Sequence, residues 1–134
     1  MPTVVVPVRY PLSPTSKHTV AEAIRIVEER DGELIVLYIN LYQNGERVTR
    51  MDLKRAVEAE FGRLPRTRYL VRRGFLVEEG ILEELVDENA DVIVIGKKQL
   101  SRWRRTINRL RSDPDIAEYL RERIDCEIVV AAPS

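Results

Sequence analysis

Positive charge follows an apolar run near the end of the chain. Residues 92–96 read VIVIG, and the next acid after them is Asp113; seven Lys and Arg residues lie between. In α/β proteins a buried strand that ends in glycine is a common place for an anion, because the backbone can approach a phosphate closely and the following helix presents its N-terminus. The chemistry that this segment predicts is therefore anion binding.

Few other residues suggest chemistry. His18 is the only histidine and Cys126 the only cysteine, which excludes a two-histidine metal cluster within one chain and an internal disulfide. We expect Cys126 to be a small buried residue of a strand rather than a nucleophile. Acids recur along residues 78–88 at helical spacing, including the pair Glu83 and Glu84, which predicts a solvated helix face. No residue pattern supports catalysis.

The bulk composition limits the class of protein. A length of 134 residues suits one domain, and 44% apolar residues can form a core. The 22 Lys and Arg balance the 22 Asp and Glu, so net charge predicts no general attraction to nucleic acid or membrane. No apolar run approaches the roughly 18 residues that span a bilayer, and the start does not resemble a signal peptide. We expect a cytoplasmic protein.

Five short runs predict strands. Three of them are apolar on both faces, which is typical of strands covered on both sides: Thr3–Val8, Glu33–Leu41 and residues 91–95. Residues 68–71 form a weaker run flanked by arginines, which predicts an edge strand. Glu127–Ala131 supplies a last strand.

Helical patterns lie between these runs. The first helix is predicted to begin near Ser16 or Thr19, the second carries a capping box at Thr49 and Asp52, and the third spans residues 75–89. Strands that alternate with helices predict right-handed crossovers and a mainly parallel sheet with helices on both faces. We expect one doubly wound domain over residues 1–134.

The basic segment itself has a helical pattern. Its apolar residues recur at spacings of three, four and three, as on one side of a helix: Leu100, Trp103, Ile107 and Leu110. The other faces carry the basic surface of Arg102, Arg104, Arg105, Arg109 and Arg111. These arginines are either solvated, or part of a protein-partner surface, or a contact to nucleic acid, which net charge and the absence of a nucleic-acid motif disfavour. A further helix is predicted from Asp113, with Ile116, Leu120 and Ile124 on its apolar face.

Three segments resemble the universal stress protein family. Residues 74–96 read GFLVEEGILEELVDENADVIVIG, which is similar to the family's glycine, acid-rich helix and strand with a terminal glycine. Residues 4–8 resemble its first strand, and residues 126–130 resemble its last. The resemblance spans nearly the whole chain and implies an open parallel sheet of strand order 3-2-1-4-5. A ligand crevice then lies at the carboxyl ends of the strands, with the candidate residues Val8, Arg9, Ile39, Gly96, Lys97 and Lys98.

The phosphate loop of the family is incomplete in this chain. Nucleotide-binding members have a glycine, two residues, a second glycine, nine residues, and then Gly-Ser or Gly-Thr. Gly96 matches the first position, but Gln99 stands at the second and Arg109 at the start of the final pair. Arg9 also replaces the aspartate that usually follows the first strand. We therefore expect a non-catalytic member without the ATP loop and without a cofactor.

The alternative is a member that binds ATP or AMP through a non-standard basic loop. Arg9, Lys97 and Lys98 would then reach the phosphates of ATP held with Mg²⁺, and a weak ATPase would follow only in that case. A second alternative is an anion or nucleic-acid adaptor that acts through residues 97–111. We expect neither a metal site nor a membrane contact.

The family resemblance implies a homodimer in which the last strands pair across a two-fold axis. That edge would consist of Glu127, Ile128, Val129, Val130 and Ala131. An exposed apolar edge strand independently favours a cover. An unidentified protein partner is the other interaction that the sequence leaves open.

Overall fold

The chain folds around one five-stranded parallel sheet with strand order β3-β2-β1-β4-β5. The computed structural model describes residues 1–110 and 126–131, apart from the side chain of Leu110. The strands are β1 Thr3–Val8, β2 Glu33–Leu41, β3 Thr67–Gly74, β4 Val92–Gly96 and β5 Glu127–Ala131. The predicted strand order is confirmed.

Helices cover both faces of the sheet. They are α1 Pro14–Arg30, α2 Arg50–Phe61, α3 Val77–Asp87 and α4 Lys97–Leu110, with a 3₁₀ turn at Tyr42–Asn44. Neighbouring residues of a strand point to opposite faces, so Val4 and Val6 pack with α1 and α2, whereas Val5 packs with α3 and α4. Both faces are therefore apolar, as the β-branched runs predicted. Within the described ranges, no helix has the length and hydropathy to cross a bilayer.

α1 begins two residues before the nearer of its two predicted starts. The helix begins at Pro14 instead of Ser16 or Thr19, and the Ser13 hydroxyl is its N-cap, accepting a hydrogen bond from the Ser16 backbone N–H at 3.0 Å. Proline suits the first helical position because its φ is already helical and its missing N–H has no partner there anyway. Thr19 lies inside the helix, and its hydroxyl donates to the Ser16 carbonyl at 2.9 Å. The capping box of α2 at Thr49 and Asp52 is confirmed.

Other boundaries differ by a few residues. β3 is longer than the predicted 68–71, because Thr67–Gly74 pairs residue by residue with β2 from Leu34 to Leu41. α3 begins at Val77 and leaves Phe75 70% exposed, outside the predicted helix. β4 ends at Gly96, one residue later than predicted. The predicted helix from Asp113, with Ile116, Leu120 and Ile124, lies outside the described residues.

The acidic face of α3 is not uniformly solvated, which corrects a second prediction. Glu84 is only 2% exposed and faces Arg72 of β3. The pairs of acids along α3 have helical spacing, but sequence spacing does not show which acid turns toward the sheet. The edge strand supplies the counter-charge that the helix pattern alone could not reveal.

Gly80 sets the distance between α3 and β2. A Cβ atom at this position would lie 2.6 Å from Cδ1 and 3.1 Å from Cγ1 of Ile39. We expect Gly80→Ala to lower the free energy of unfolding by about 1–2 kcal/mol in urea titrations, because overpacking outweighs the better helix propensity of alanine. Ile39→Val removes Cδ1, the closest atom. It should therefore lower the free energy of unfolding less in the Gly80→Ala background than in the wild type. A stabilising Gly80→Ala substitution would contradict this packing.

Candidate functional site

A crevice of about 930 Å³ opens at the carboxyl ends of the central strands. It lies where strands β1 and β4 meet and the chain winds in opposite directions, the usual ligand position in an open α/β sheet. The six residues that the sequence placed at a crevice all line this one: Val8, Arg9, Ile39, Gly96, Lys97 and Lys98. The geometry thus brings the predicted residues together, and their role in ligand binding stays a prediction.

The first turn of α1 forms one wall of the crevice. The backbone N–H of Arg9 donates to the Ser16 hydroxyl at 2.9 Å, and the Ser13 hydroxyl donates to that of Ser16 at 3.1 Å. Ser16 is buried, so the chain leaves β1 in a fixed direction, and the Arg9 side chain remains exposed. His18 also lines the crevice. This serine wall was not predicted from the sequence, although Ser13 and Pro14 carry a recognisable helix-start signal.

Helix packing accounts for the glycine at the end of β4. A Cβ atom on Gly96 would lie 3.2 Å from Cγ2 of Thr15 in α1, which is closer than an ordinary contact. A larger residue would push α1 away from the strand end. The close packing of α1 therefore accounts for a glycine at position 96 without a bound phosphate.

No loop separates β4 from α4. The strand ends at Gly96 and the helix begins at Lys97. Lys97 and Lys98 therefore belong to the first turn of α4, and this turn borders the crevice. The positive end of the helix dipole and the two ammonium groups both favour an anion. Within the part of the chain that the structure describes, Arg9, Lys97 and Lys98 make no ion pair. The rim is electropositive.

A polar network ties α3 to α4 on the opposite wall. The Gln99 amide donates to a Glu78 carboxylate oxygen at 3.4 Å and accepts from the Arg102 guanidinium at 3.3 Å. Arg102 lies 3.6 Å from the same Glu78 oxygen. A hydrogen-bonded side chain, that of Gln99, thus stands where the motif has its second glycine. Glu78 adds an acid to this wall of the crevice.

The basic segment is an amphipathic helix, as predicted. Leu100, Trp103 and Ile107 are buried against the sheet, whereas Arg104, Arg105 and Arg109 are exposed. Arg102 differs from these three because it belongs to the crevice wall. Arg111 lies outside the described residues. The buried apolar stripe accounts for the helix. The described positions of the exposed arginines do not favour one kind of ligand over another.

β5 forms one edge of the sheet. Among the described residues it pairs only with β4, and its Ile128 and Val130 side chains are 36% and 43% exposed. Ala131 is buried and Val129 partly so. Glu127 is held by Arg30 of α1, with 2.6 Å between the guanidinium and the carboxylate. Within the described ranges, the outer side of β5 therefore has no partner strand, and two of its apolar side chains are exposed.

Titratable groups near the crevice do not form a metal site. Among residues 1–110 and 126–131, no three His, Cys, Asp or Glu side chains cluster as metal ligands. Burial raises the pKa of Tyr38, which lines the crevice, and the Glu46 carboxylate raises it further. Tyr38 is therefore a neutral hydrogen-bonding group at physiological pH.

Comparison with known proteins places these features in a family. The model of the universal stress protein family matches residues 1–132. No curated protein is a significant match to this sequence. A solved universal stress protein in complex with cAMP is 19% identical, with a TM-score of 0.66 and coverage of 99% of this chain and 98% of that chain.

Two further solved structures have the same fold. The universal stress protein from Archaeoglobus fulgidus in complex with dAMP is 16% identical, with a TM-score of 0.59 and coverage of 98% of both chains. UspA from Lactobacillus plantarum is 15% identical, with a TM-score of 0.57 and coverage of 98% of this chain and 97% of that chain. At these identities, the three structures show that the fold is shared and nothing about the ligand of this chain.

Proposed function

This chain belongs to the universal stress protein family, and we propose that it acts there as a cytoplasmic, non-catalytic, homodimeric binding module for stress response or regulation that lacks the ATP loop. The observation that carries this proposal is the direct passage from Gly96 into α4. A helix occupies the place where nucleotide-binding relatives need a glycine-rich loop around the phosphates. Backbone amides beyond the first helical turn are bonded within the helix and cannot hold a phosphate chain.

The charge distribution on the α3–α4 wall supports the same proposal. Glu78 lines the crevice and is tied to Gln99 and Arg102. A triphosphate on this side would meet hydrogen-bonded side chains, including a carboxylate paired with Arg102, instead of glycine amides. The crevice is thus suited to a smaller or less charged ligand than ATP, or to a protein segment.

The homodimer part of the proposal depends on β5. Pairing of two β5 strands would cover Ile128 and Val130 and satisfy the free backbone groups of that edge. Light scattering at micromolar concentration should give twice the 15.5 kDa mass of the chain. A monomer at that concentration would contradict the homodimer.

Adenine nucleotide binding is the second candidate function, and two observations favour it. Arg9, Lys97 and Lys98 form an electropositive rim, and two proteins with the same fold have been solved with cAMP and dAMP. If this function is correct, Lys97→Glu with Lys98→Glu should weaken AMP and ATP binding in calorimetry by at least about 30-fold, since two attractions become repulsions. Arg104→Glu with Arg105→Glu is the matched control, because both residues are exposed on the same helix and lie outside the crevice lining. Equal affinity of the two double variants would exclude the rim as the phosphate site.

A further inference from the structure

A second basic groove lies between α2 and the edge strand β3. Its volume is about 550 Å³. One wall is a single face of α2, since Arg50, Lys54 and Glu58 are spaced by four residues. The other wall is the consecutive stretch from Arg63 to Tyr69. The groove shares no lining residue with the crevice at the carboxyl ends of the strands.

The charge in this groove is strongly one-sided. Five cations line it against the single acid Glu58: Arg50, Lys54, Arg63, Arg66 and Arg68. Arg66 is paired with Asp31 at 2.6 Å, and Arg68 with Glu88 at 2.8 Å. Arg50, Lys54 and Arg63 have no ion pair among the described residues. Three cations in the groove are therefore available to a ligand.

A buried donor lines the same groove. Tyr69 is 6% exposed, and among the described residues its buried hydroxyl oxygen has no hydrogen-bond partner. Leaving a buried polar group unsatisfied costs about 1–3 kcal/mol, so such groups usually have a reason. Burial, with a smaller effect of Glu58, raises the pKa of Tyr69 to about 12. The hydroxyl keeps its proton and can donate a hydrogen bond to an acceptor oxygen.

We propose that the α2–β3 groove binds a small polyphosphate anion. Arg50, Lys54 and Arg63 neutralise its charge, and the Tyr69 hydroxyl donates a hydrogen bond to one of its oxygens. A phosphate chain fits better than a single carboxylate, because it offers several charges to three separate cations and its oxygens accept bidentate bonds from guanidinium groups. The site is distinct from the crevice, so it does not depend on whether the crevice holds a nucleotide.

Tripolyphosphate tests the proposal because it carries the charge of a nucleotide but no base. Calorimetric titration of the full chain at about 0.1 M salt should show binding, and Lys54→Gln with Arg63→Gln should weaken it by about 10-fold or more. Arg47→Gln with Arg55→Gln removes the same charge from exposed residues that do not line the groove; it should change the affinity by less than about 2-fold, because at this salt concentration charges that do not contact the ligand are largely screened. If both double variants lose the same affinity for tripolyphosphate, the loss reflects only the change in net charge, and the proposal is overturned.

Two more variants distinguish binding in this groove from binding in the crevice. Tyr69→Phe should weaken tripolyphosphate several-fold while the free energy of unfolding in urea stays the same or rises, because the substitution removes an unsatisfied hydroxyl. Lys97→Gln with Lys98→Gln removes any anion site at the crevice rim; tripolyphosphate binding should persist in this background, and Tyr69→Phe should still weaken it there. If that crevice variant loses the binding, or Tyr69→Phe retains the wild-type affinity, the groove is not the site.

Discussion

Arg72→Met should lower the free energy of unfolding by about 3–5 kcal/mol, because it leaves the buried Glu84 carboxylate without its counter-charge. In the folded chain, the Arg72 guanidinium lies 3.1 Å from Glu84 and 3.6 Å from Glu83, and it also donates to Asp87. Among the described residues, the second Glu84 oxygen is buried without a hydrogen-bond partner, and Arg72 is the arginine that forms an ion pair with this carboxylate. The pair joins the edge strand β3 to α3.

The pH dependence of this variant follows from the state of Glu84. Burial raises the pKa of Glu84 above its ordinary value of 4.5, and Arg72 opposes that rise. Without Arg72 the folded-state pKa rises further. A raised folded-state pKa gives stability that is complete below the unfolded value and is lost as the pH rises through the folded value. The deficit of Arg72→Met relative to wild type should therefore be larger at about pH 8 than at about pH 4.5.

Urea unfolding at the two pH values measures both effects. Arg25→Met is the matched control, because Arg25 pairs with Glu22 and Glu29 on the exposed face of α1; exposed pairs contribute less than about 1 kcal/mol. If Arg72→Met loses no more stability than Arg25→Met, the buried pair does not have the role assigned to it.

The second large effect is expected at the β5 edge. Ile128→Lys with Val130→Lys should raise the dissociation constant of the homodimer by about 100-fold or more, since two apolar contacts are lost and charged side chains oppose edge pairing. Both side chains are exposed in the single chain, so the folded protomer should tolerate the change. Sedimentation over a concentration series gives the dissociation constant, and circular dichroism checks the fold.

A control for the edge substitutions uses exposed apolar residues elsewhere. Met51 is 47% exposed and Phe75 is 70% exposed, and neither belongs to β5. Met51→Lys with Phe75→Lys adds the same charge and should leave the dimer intact. A dimer that survives the β5 substitutions, or dissociates equally with the control, would place the interface elsewhere.

The alternation of strands and helices could be predicted from the sequence because it depends on local patterns, whereas the strand order was implied by the family resemblance. The three doubly apolar runs had to be covered on both faces, and the alternation with helices required parallel crossovers. The start of α1 was misplaced because Thr19 offers capping spacing, whereas Ser13 and Pro14 together give the stronger signal. The buried position of Glu84 on α3 depends on Arg72, twelve residues away on β3, and no local pattern encodes that pairing.

The site was predictable to the same extent. The strand order that the family resemblance implies placed Val8, Arg9, Gly96 and the two lysines after it at the winding change, and these residues line one crevice. The wall formed by Ser13 and Ser16 and the network of Glu78 with Gln99 were not predicted, because helices α1, α3 and α4 contribute them from separate parts of the chain. The α2–β3 groove was missed for the same reason.

Calorimetric titration with ATP, with and without Mg²⁺, tests the central claim that this member lacks a phosphate loop. The protein must first be shown to carry no co-purified nucleotide. With α4 beginning at Lys97 and Gln99 bonded to Glu78, we expect no heat of binding at the crevice up to millimolar ATP; heat that persists in Lys97→Glu with Lys98→Glu would belong to the α2–β3 groove. Micromolar ATP binding that this double substitution abolishes would contradict the claim and make nucleotide binding through the basic rim the function of the crevice.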